Sequence, residues 1–434
     1  MRQRLSGVRA LAVILSLAGS AMGAPSASHA GGLFLTEFGT NDVALAGAGW
    51  AARAQDPATL FRNPAGMSLL EGNQALVGAQ LLYGNGAFSP GGGTMVAGGG
   101  SGGGNPIAVV PAASGFYTHR LGRDVTVGFG VLSNFGLGIQ FDGDWVGRYY
   151  VKQDVLVGVS FVPAASYRVN EWLSVGGGLN IMVAQLKYVT AINNGPLGPG
   201  DGELRLQDVT AGIGGQVGVM VEPKKGTRAG VTYYSPVTLD FGSTPSYQNL
   251  GTVVNGALSA AGLIGNEIDL GLTVPQHLIV SIYHEVTDRL ALMGDFGWED
   301  WSAFGKVDVS VTGGGSLTTN IPYQDTYGVR AGARYRVNPQ WLLNTGFAYD
   351  TSMVKDADRT LGLPIGATYK FGLGAEWQAT EKHTVGLNYE LTWVGDLPVT
   401  QQAIAPGPGF FSRGTVVGEY RSVYLNFFAV NVKW

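Results

Sequence analysis

Residues 383–394 read His-Thr-Val-Gly-Leu-Asn-Tyr-Glu-Leu-Thr-Trp-Val. From Val385 to Trp393 every second residue is apolar, and the residues between them are polar or glycine. This alternation has the period of a β-strand with one apolar and one polar face. The second face is too polar and too rich in glycine to fill a soluble core. The stretch therefore predicts a strand of a membrane barrel whose apolar face meets lipid.

The same alternation recurs along most of the chain. The segments that show it are 74–83, 109–119, 125–141, 154–168, 173–189, 204–222, 228–241, 268–286, 290–312, 325–337, 341–352, 368–378, 383–394 and 419–434. They predict an all-β membrane fold, an antiparallel barrel of about 14 strands, an even number as in bacterial barrels. Tight turns such as 170–171 alternate with long connections such as 242–267. We expect the short turns, and both chain ends, on the periplasmic side.

Composition agrees with a lipid-facing sheet. Charged residues make up 13% of the 434 residues, against roughly 25% in soluble domains. The 69 glycines and 45 aromatic residues (18 Tyr, 18 Phe and 9 Trp) suit strands that carry aromatic girdles. The net charge of −4 gives no reason to expect a nucleic-acid partner. The chain has no cysteine, which excludes disulfides within it.

The N-terminus has the three parts of an export signal. Arg2, Arg4 and Arg9 precede the apolar run 11–18, and small residues follow at Ser28 and Ala30. This order predicts a cleaved signal peptide over residues 1–30. No later stretch is long and apolar enough for a transmembrane helix. We therefore expect export to the bacterial outer membrane.

Residues 31–72 do not alternate. They contain Pro57, Pro64 and many small residues, which favour turns and short helices over strands. We predict that this segment forms an N-terminal hatch, or plug, in the lumen, and that residues 73–434 form the barrel.

The last predicted strand ends in an aromatic residue. Its apolar face carries Tyr424, Phe428, Val430, Val432 and Trp434. A terminal aromatic after such a strand resembles the signal that barrel-insertion machinery reads, so we expect that machinery as a partner.

Signals for an enzyme are weak. The histidines after the signal peptide have no metal-binding spacing, and Ser133 and Ser160 lie in no nucleophile elbow. We predict no catalytic residues, no metal and no cofactor. A lipid enzyme built on a barrel would need a catalytic cluster that the sequence does not provide.

Charged side chains fall on the predicted lumen face. Arg330, Arg334 and Arg336 lie on one strand, Lys370 and Glu376 on another, and Asp295 and Glu299 share a face on a third. We interpret them as ion pairs that hold plug and wall together. The alternative is that one lumen cation meets the carboxylate of a ligand.

An apolar stretch interrupts the long connection 242–267. Val253, Val254, Leu258 and Ile264 fall near helical spacing in a segment that should face water. Exposed apolar surface of this kind marks an interaction site, so these residues are candidates to capture a hydrophobic ligand. Packing of this stretch against the next loop is the alternative.

Several motifs in order resemble the FadL family of outer-membrane transporters for long-chain fatty acids and other hydrophobic molecules. They are Gly32-Leu-Phe-Leu-Thr-Glu-Phe38, Arg62-Asn63-Pro64-Ala65, Ser133-Asn134-Phe135-Gly136-Leu137, Asp144-Trp-Val-Gly-Arg-Tyr-Tyr150, Asp295-Phe-Gly-Trp298-Glu-Asp-Trp301-Ser302 and Phe347-Ala-Tyr-Asp350-Thr-Ser-Met-Val354. The resemblance implies a barrel of 14 strands with an N-terminal hatch and an inward kink in its third strand.

The resemblance also implies a transport path. Ligand captured at 253–264 passes to a pocket at the start of the hatch, for which Phe34, Leu35 and Phe38 are the candidates. The hatch, held near Asn63-Pro64-Ala65, then moves and exposes a gap in the third strand.

The gap is expected at Asn134, Phe135, Gly136 and Leu137, where Asn134 and Gly136 favour a bulge in the ladder. A ligand would leave there sideways into the outer-membrane lipids, by passive diffusion, from a monomer. An ordinary bulge without a gap is the alternative.

Three ligand classes stay open. Long-chain fatty acids come first, aromatic hydrocarbons want the same apolar lining, and a diffusion porin for polar solutes would need an open lumen, against which the plug argues.

Overall fold

The structure is a computed structural model that describes residues 33–107, 109–196, 198–312, 316–402 and 412–434. The predicted signal peptide, residues 1–30, lies outside the described residues. Among the described helices, none combines the length and the apolar character needed to cross a membrane.

Fourteen antiparallel strands form a closed barrel. They are β1 (Gln74–Asn85), β2 (Val110–Arg120), β3 (Val125–Gln140), β4 (Gln153–Arg168), β5 (Leu173–Ile192), β6 (Gly202–Lys224), β7 (Thr227–Tyr234), β8 (His277–Glu285), β9 (Leu290–Glu299), β10 (Thr326–Asn338), β11 (Trp341–Asp350), β12 (Thr368–Gln378), β13 (Thr384–Gln402) and β14 (Thr415–Lys433). Each strand pairs with its neighbours in this order, and β14 pairs with β1 to close the ring. The predicted fold class is confirmed.

The alternation of side chains sets the two faces of the wall. On β12, Tyr369, Phe371 and Leu373 are 45%, 50% and 61% exposed, whereas Lys370 between them is fully buried. Apolar side chains thus point outward, and the polar ones point into the lumen. This is the arrangement that the period of two predicts.

Four strands form a separate outer sheet. In pairing order they are Ser316–Asn320, Lys306–Val311, Ile268–Val274 and Val237–Ser243. The predicted single strands 228–241, 268–286 and 290–312 are therefore wrong, because each is divided between barrel and outer sheet. Two of these divisions occur at Pro236 and Pro275, because proline has no N–H to donate to a ladder. The third break is the helix Trp301–Phe304.

The remaining elements are short. A strand at Phe88–Pro90 pairs with β14, and a strand at Ser246–Gln248 pairs with β6. The helices are α1 (Thr59–Arg62), α2 (Thr252–Ala260) and α3 (Trp301–Phe304), with 3-10 turns at Pro64–Leu69 and Asp356–Asp358. β13 also continues to Gln402, well beyond the predicted end at 394.

Residues 33–72 lie inside the barrel as turns, α1 and one 3-10 turn; we call them the luminal segment. Within it, Asp42 receives hydrogen bonds from the guanidinium groups of Arg53 and Arg62, and Arg62 also binds Asp56 at 2.6 Å. Burial by itself would raise the pKa of the Asp42 carboxyl, but the two guanidinium groups outweigh it and hold that pKa below its usual value. The segment therefore has a charged centre of its own.

Inward polar side chains of the wall bind the backbone of the luminal segment. Asp295 on β9 accepts from the amides of Gly49 at 2.6 Å and Trp50 at 2.9 Å. Lys370 on β12 forms an ion pair with Glu37 at 2.6 Å, with both side chains fully buried. The Asp295 contacts satisfy backbone groups that no strand partner reaches. Both sets of contacts agree with the interpretation of the lumen charges as a network that joins plug and wall, whereas Arg336 is exposed and lies outside these contacts.

Replacing Asp295 by Ala should loosen this attachment. Two buried amides would lose a charged acceptor, and we expect the free energy of unfolding to fall by about 3 kcal/mol. Urea unfolding of the folded protein in detergent measures this loss, and amide exchange at Gly49 and Trp50 localises it. Asp288→Ala, in an exposed turn, is the control. Equal stability of the two variants would contradict the anchoring role.

Candidate functional site at the third strand

The third strand, β3, is paired unevenly on its two sides. With β4 it pairs from Val125 to Gln140. With β2 the ladder runs only from Thr126 to Leu132. Ile139 then bridges to Ile107, so the break in the described wall lies between Leu132 and Ile139. The barrel thus has a gap on one side of β3.

A bulge shapes the strand at this gap. Ser133 pairs with Val159 and Phe135 with Gly158, which leaves Asn134 as the extra residue. Gly136 has φ +120°, and a Cβ there would lie 2.0 Å from the Leu156 carbonyl oxygen. Only glycine fits that conformation and that close approach. The irregularity falls on the residues for which the sequence predicted it, and Leu137 beside it is buried.

The first residues of the luminal segment fill the gap. The Leu35 amide donates to the Asn134 carbonyl oxygen at 2.8 Å, and the Gly136 amide donates to the Leu33 carbonyl oxygen at 3.0 Å. Phe34 and Phe135 face each other between these two bonds. Residues 33–35, which we call the luminal tip, thus replace β2 as the partner of β3. They satisfy backbone groups that lipid could not.

The predicted pocket residues lie in a closed aromatic cluster. The Phe34 ring lies 4.3 Å from the His277 ring and 6.3 Å from the Phe61 ring, centroid to centroid. The Phe38 ring lies 5.8 Å from the Trp50 ring. Phe34 and Phe38 are buried, and Leu35 is partly buried. Protein rings fill the space around the candidates, so a ligand would enter by displacing them.

The apolar stretch of the outer loop forms α2. Val254 and Leu258 are buried, whereas Val253 is 59% and Ile264 37% exposed. The four candidates therefore divide into two that pack inward and two that face out. Val254 and Leu258 belong to the same continuous cluster of buried apolar side chains as Phe34, Phe38 and Phe135. An apolar connection thus runs from the outer loop to the gap.

The Asn63-Pro64-Ala65 motif holds the middle of the luminal segment. The Asn63 amide nitrogen donates to the carbonyl oxygens of Ala51 at 2.7 Å and of Val219, on β6, at 3.1 Å. Its side-chain oxygen accepts from the Ala65 amide at 3.1 Å. A Cβ at Gly218 would lie 2.0 Å from that oxygen, so the motif fits closely against a bare stretch of wall.

Three features of this region were not predicted from the sequence. Phe304 of α3 packs against Phe135 at 6.4 Å between ring centroids, and His277 stacks on Tyr234 at 4.0 Å. Neither carries a local signal, since each contact joins distant parts of the chain. The third is Asp154, an acidic residue at an inward position of an alternating strand. That position was the only sequence signal that could have identified it.

A second irregularity lies on the outer face of the wall. The ladder between β4 and β5 is interrupted around Pro163, since Phe161 pairs with Ile181 and the next pair along the strands is Ala164 with Gly178. A depression of about 780 Å³ lies there, between Leu179 and Val217. It contains none of the predicted site residues.

Comparison with known proteins gives the same family on independent grounds. Residues 21–425 match the family model described as outer membrane protein transport protein (OMPP1/FadL/TodX). The 47 kDa outer membrane protein of Pasteurella multocida is 30% identical over 90% of this chain and 95% of its own. The long-chain fatty acid transport protein of Salmonella typhi is 25% identical over 79% of this chain and 85% of its own.

Solved structures share the fold. A FadL homologue of Pseudomonas aeruginosa superposes with a TM-score of 0.81 at 20% identity, over 93% of this chain and 99% of that one. The toluene transporter TbuX of Ralstonia pickettii gives 0.64 at 19% identity, over 92% and 98%. The resemblance predicted from the motifs, the outer-membrane location and the assignment to transport proteins instead of enzymes are confirmed. The chain belongs to the OMPP1/FadL/TodX family of outer-membrane transport proteins.

Proposed function

We propose that this protein takes up long-chain fatty acids and similar hydrophobic molecules and releases them sideways into the outer membrane through the gap beside β3. The observation that carries the proposal is the luminal tip. This segment of three residues pairs with β3 where the described ladder between β2 and β3 ends, and it thereby completes the wall. Removing it opens a passage from lumen to lipid.

The apolar cluster supplies a path to that passage. It extends from Val254 and Leu258 under the outer loop to Phe34 and Phe135 at the gap. Burial of a 16-carbon chain along such a path could contribute on the order of 10 kcal/mol, at roughly 0.8 kcal/mol per CH₂. A ligand bound that tightly leaves a rigid pocket slowly, so the pocket has to be disturbed for release.

The luminal tip is the part that can move. Two backbone hydrogen bonds join it to β3, while the middle of the segment is held by Asn63, Asp295 and the Asp42 ion pairs. A ligand that wedges between Phe34 and its neighbouring rings would displace the tip and leave the middle in place. Lateral exit then needs no energy source, because a hydrophobic molecule moves down its gradient into lipid.

The relatives carry names from both ligand classes, and the proposal puts fatty acids first. The Salmonella typhi relative is named for long-chain fatty acid transport, and the Ralstonia pickettii structure for toluene transport. Aromatic hydrocarbons are therefore the second candidate ligand by the same route. A porin for polar solutes is disfavoured, because the luminal segment occupies the lumen. Residues 1–30 as a cleaved signal peptide, a monomeric barrel and insertion through the C-terminal strand are part of the proposal.

A disulfide at the luminal tip tests the exit. Phe34 and Phe135 form a pair flanked by hydrogen bonds, the close type of antiparallel pair that suits a disulfide. The chain has no cysteine, so Phe34→Cys/Phe135→Cys adds one defined pair. We expect oxidation to lower uptake of labelled oleate at least tenfold and reduction to restore it.

The matched control for the disulfide at the luminal tip is Tyr349→Cys/Tyr369→Cys, which joins β11 to β12 on the outer face. Oxidation of that pair should leave uptake unchanged. If the oxidised tip variant transports oleate as fast as its reduced form, exit beside β3 is wrong.

Charge on the exposed side chains of the apolar stretch 253–264 tests capture. Val253→Asp in α2 with Ile264→Asp beyond its end removes apolar surface where ligand would first bind, and we expect several-fold slower uptake at low oleate concentration. At saturating oleate the rate should recover. Ser259→Asp adds a charge to an exposed position of the same helix and is the control. A double variant that behaves like this control would rule out capture at α2.

A further inference from the structure

Asp154 is a buried carboxyl for which the described part of the chain provides no hydrogen-bond partner. It lies near the outer end of β4 and faces the lumen, with no exposed surface. Neither carboxyl oxygen has a hydrogen-bond partner among the residues that the structure describes. Its neighbours across the ladders are Ile139 on β3 and Tyr188 on β5, and the next inward residue is Leu156. An isolated polar group in such surroundings costs several kcal/mol unless something binds it.

The other lumen carboxyls described above have partners. Asp295 accepts two backbone amides, Glu37 pairs with Lys370, and Glu376 binds Arg334. Those groups hold the luminal segment or the wall. Asp154 makes no such contact with any residue that the structure describes, so a role in holding the structure together does not explain it.

The position of Asp154 lies on the proposed path. Its partner Ile139 is the upper edge of the gap, and Phe135 in the gap pairs with Gly158, four residues further along the same strand. At roughly 3.3 Å per residue the carboxyl lies about 13 Å from the centre of the gap, on the side of the outer loops. A ligand that comes from those loops passes Asp154 before it reaches the luminal tip.

Two more buried polar atoms lie near the gap. The Asn134 side-chain oxygen in the bulge and the Ser160 hydroxyl on β4 are buried, and neither has a partner among the described residues. All three groups lie on the inner side of β3 and β4. Around them the lining is apolar, as with Leu132, Leu137 and Leu156.

We propose that Asp154 binds the polar head of an otherwise apolar ligand, a carboxylic acid or an alcohol, before the ligand leaves through the gap. This inference rests on the proposed function and makes it more specific. A neutral carboxyl donates one hydrogen bond and accepts others, so it can pair with a neutral acid or hydroxyl head without leaving a buried charge. A plain hydrocarbon leaves the carboxyl unpaired. The protein should therefore prefer amphiphiles to hydrocarbons of the same length.

Two variants at this position separate polarity from size. Asp154→Leu keeps the number and branching of the side-chain heavy atoms and has no hydrogen-bonding group, whereas Asp154→Asn keeps a donor and an acceptor. We expect Asp154→Leu to weaken binding of dodecanoic acid and dodecanol about tenfold, the scale of one buried hydrogen bond. Binding of dodecane should be unchanged or tighter, and Asp154→Asn should bind all three nearly as the parent does.

The measurement is a titration of each ligand into the full-length protein in detergent, followed by uptake into vesicles that contain it. Gln153→Leu, which alters the neighbouring outward residue, is the control. The inference is overturned if Asp154→Leu leaves the ratio of acid to alkane affinity unchanged. It is also overturned if only dodecylamine responds, because Asp154 would then act as a carboxylate for cations.

The two proposals fail in different ways. If the parent protein takes up neither dodecanoic acid nor dodecane, the transport proposal itself is wrong. If dodecane passes normally through every variant, the path is intact, and any loss of the acid or the alcohol belongs to Asp154.

Discussion

In lipid, a strand cannot leave its backbone N–H and C=O groups without partners, and this constraint governs the whole molecule. Ladders between neighbouring wall strands meet most of it, including the closure of β1 on β14. The boundary between β2 and β3 meets it only in part. There the luminal tip supplies the missing partner through Leu33 and Leu35. The integrity of the wall thus depends on a segment that does not belong to the wall.

The luminal segment is attached unevenly as a result. Its middle has a charged centre at Asp42, a carboxylate acceptor at Asp295 and the Asn63 contacts with β6. Its tip has two neutral backbone bonds and a set of aromatic contacts. Charged hydrogen bonds are worth about twice as much as neutral ones. A disturbance from the lumen would therefore release the tip first, and the barrel would keep its fold while it does so.

The sequence predicted the wall well because a period of two is a local property. The strand 368–378 matches β12 in both bounds. The same locality explains the errors, since the outer sheet has the same period, and the alternation continues across Pro236 and Pro275. The bulge at Asn134 was predictable from residue types and family resemblance. The closed cluster around Phe34 was not, because it joins the luminal tip to His277 on β8. Asp154 was missed because a single inward acid looks like any other polar wall residue until its lack of partners is seen.

The outer sheet continues from one row of paired residues. Tyr234, His277, Glu299 and Thr326 are consecutive register partners across β7, β8, β9 and β10, so four strands leave the wall along a single line of pairs. The two insertions between them, 235–276 and 300–325, begin and end on paired residues. Evolution can lengthen, shorten or exchange such insertions without shifting the register of a single wall strand. The outer sheet can therefore change in length and sequence while the paired strands below it keep their positions.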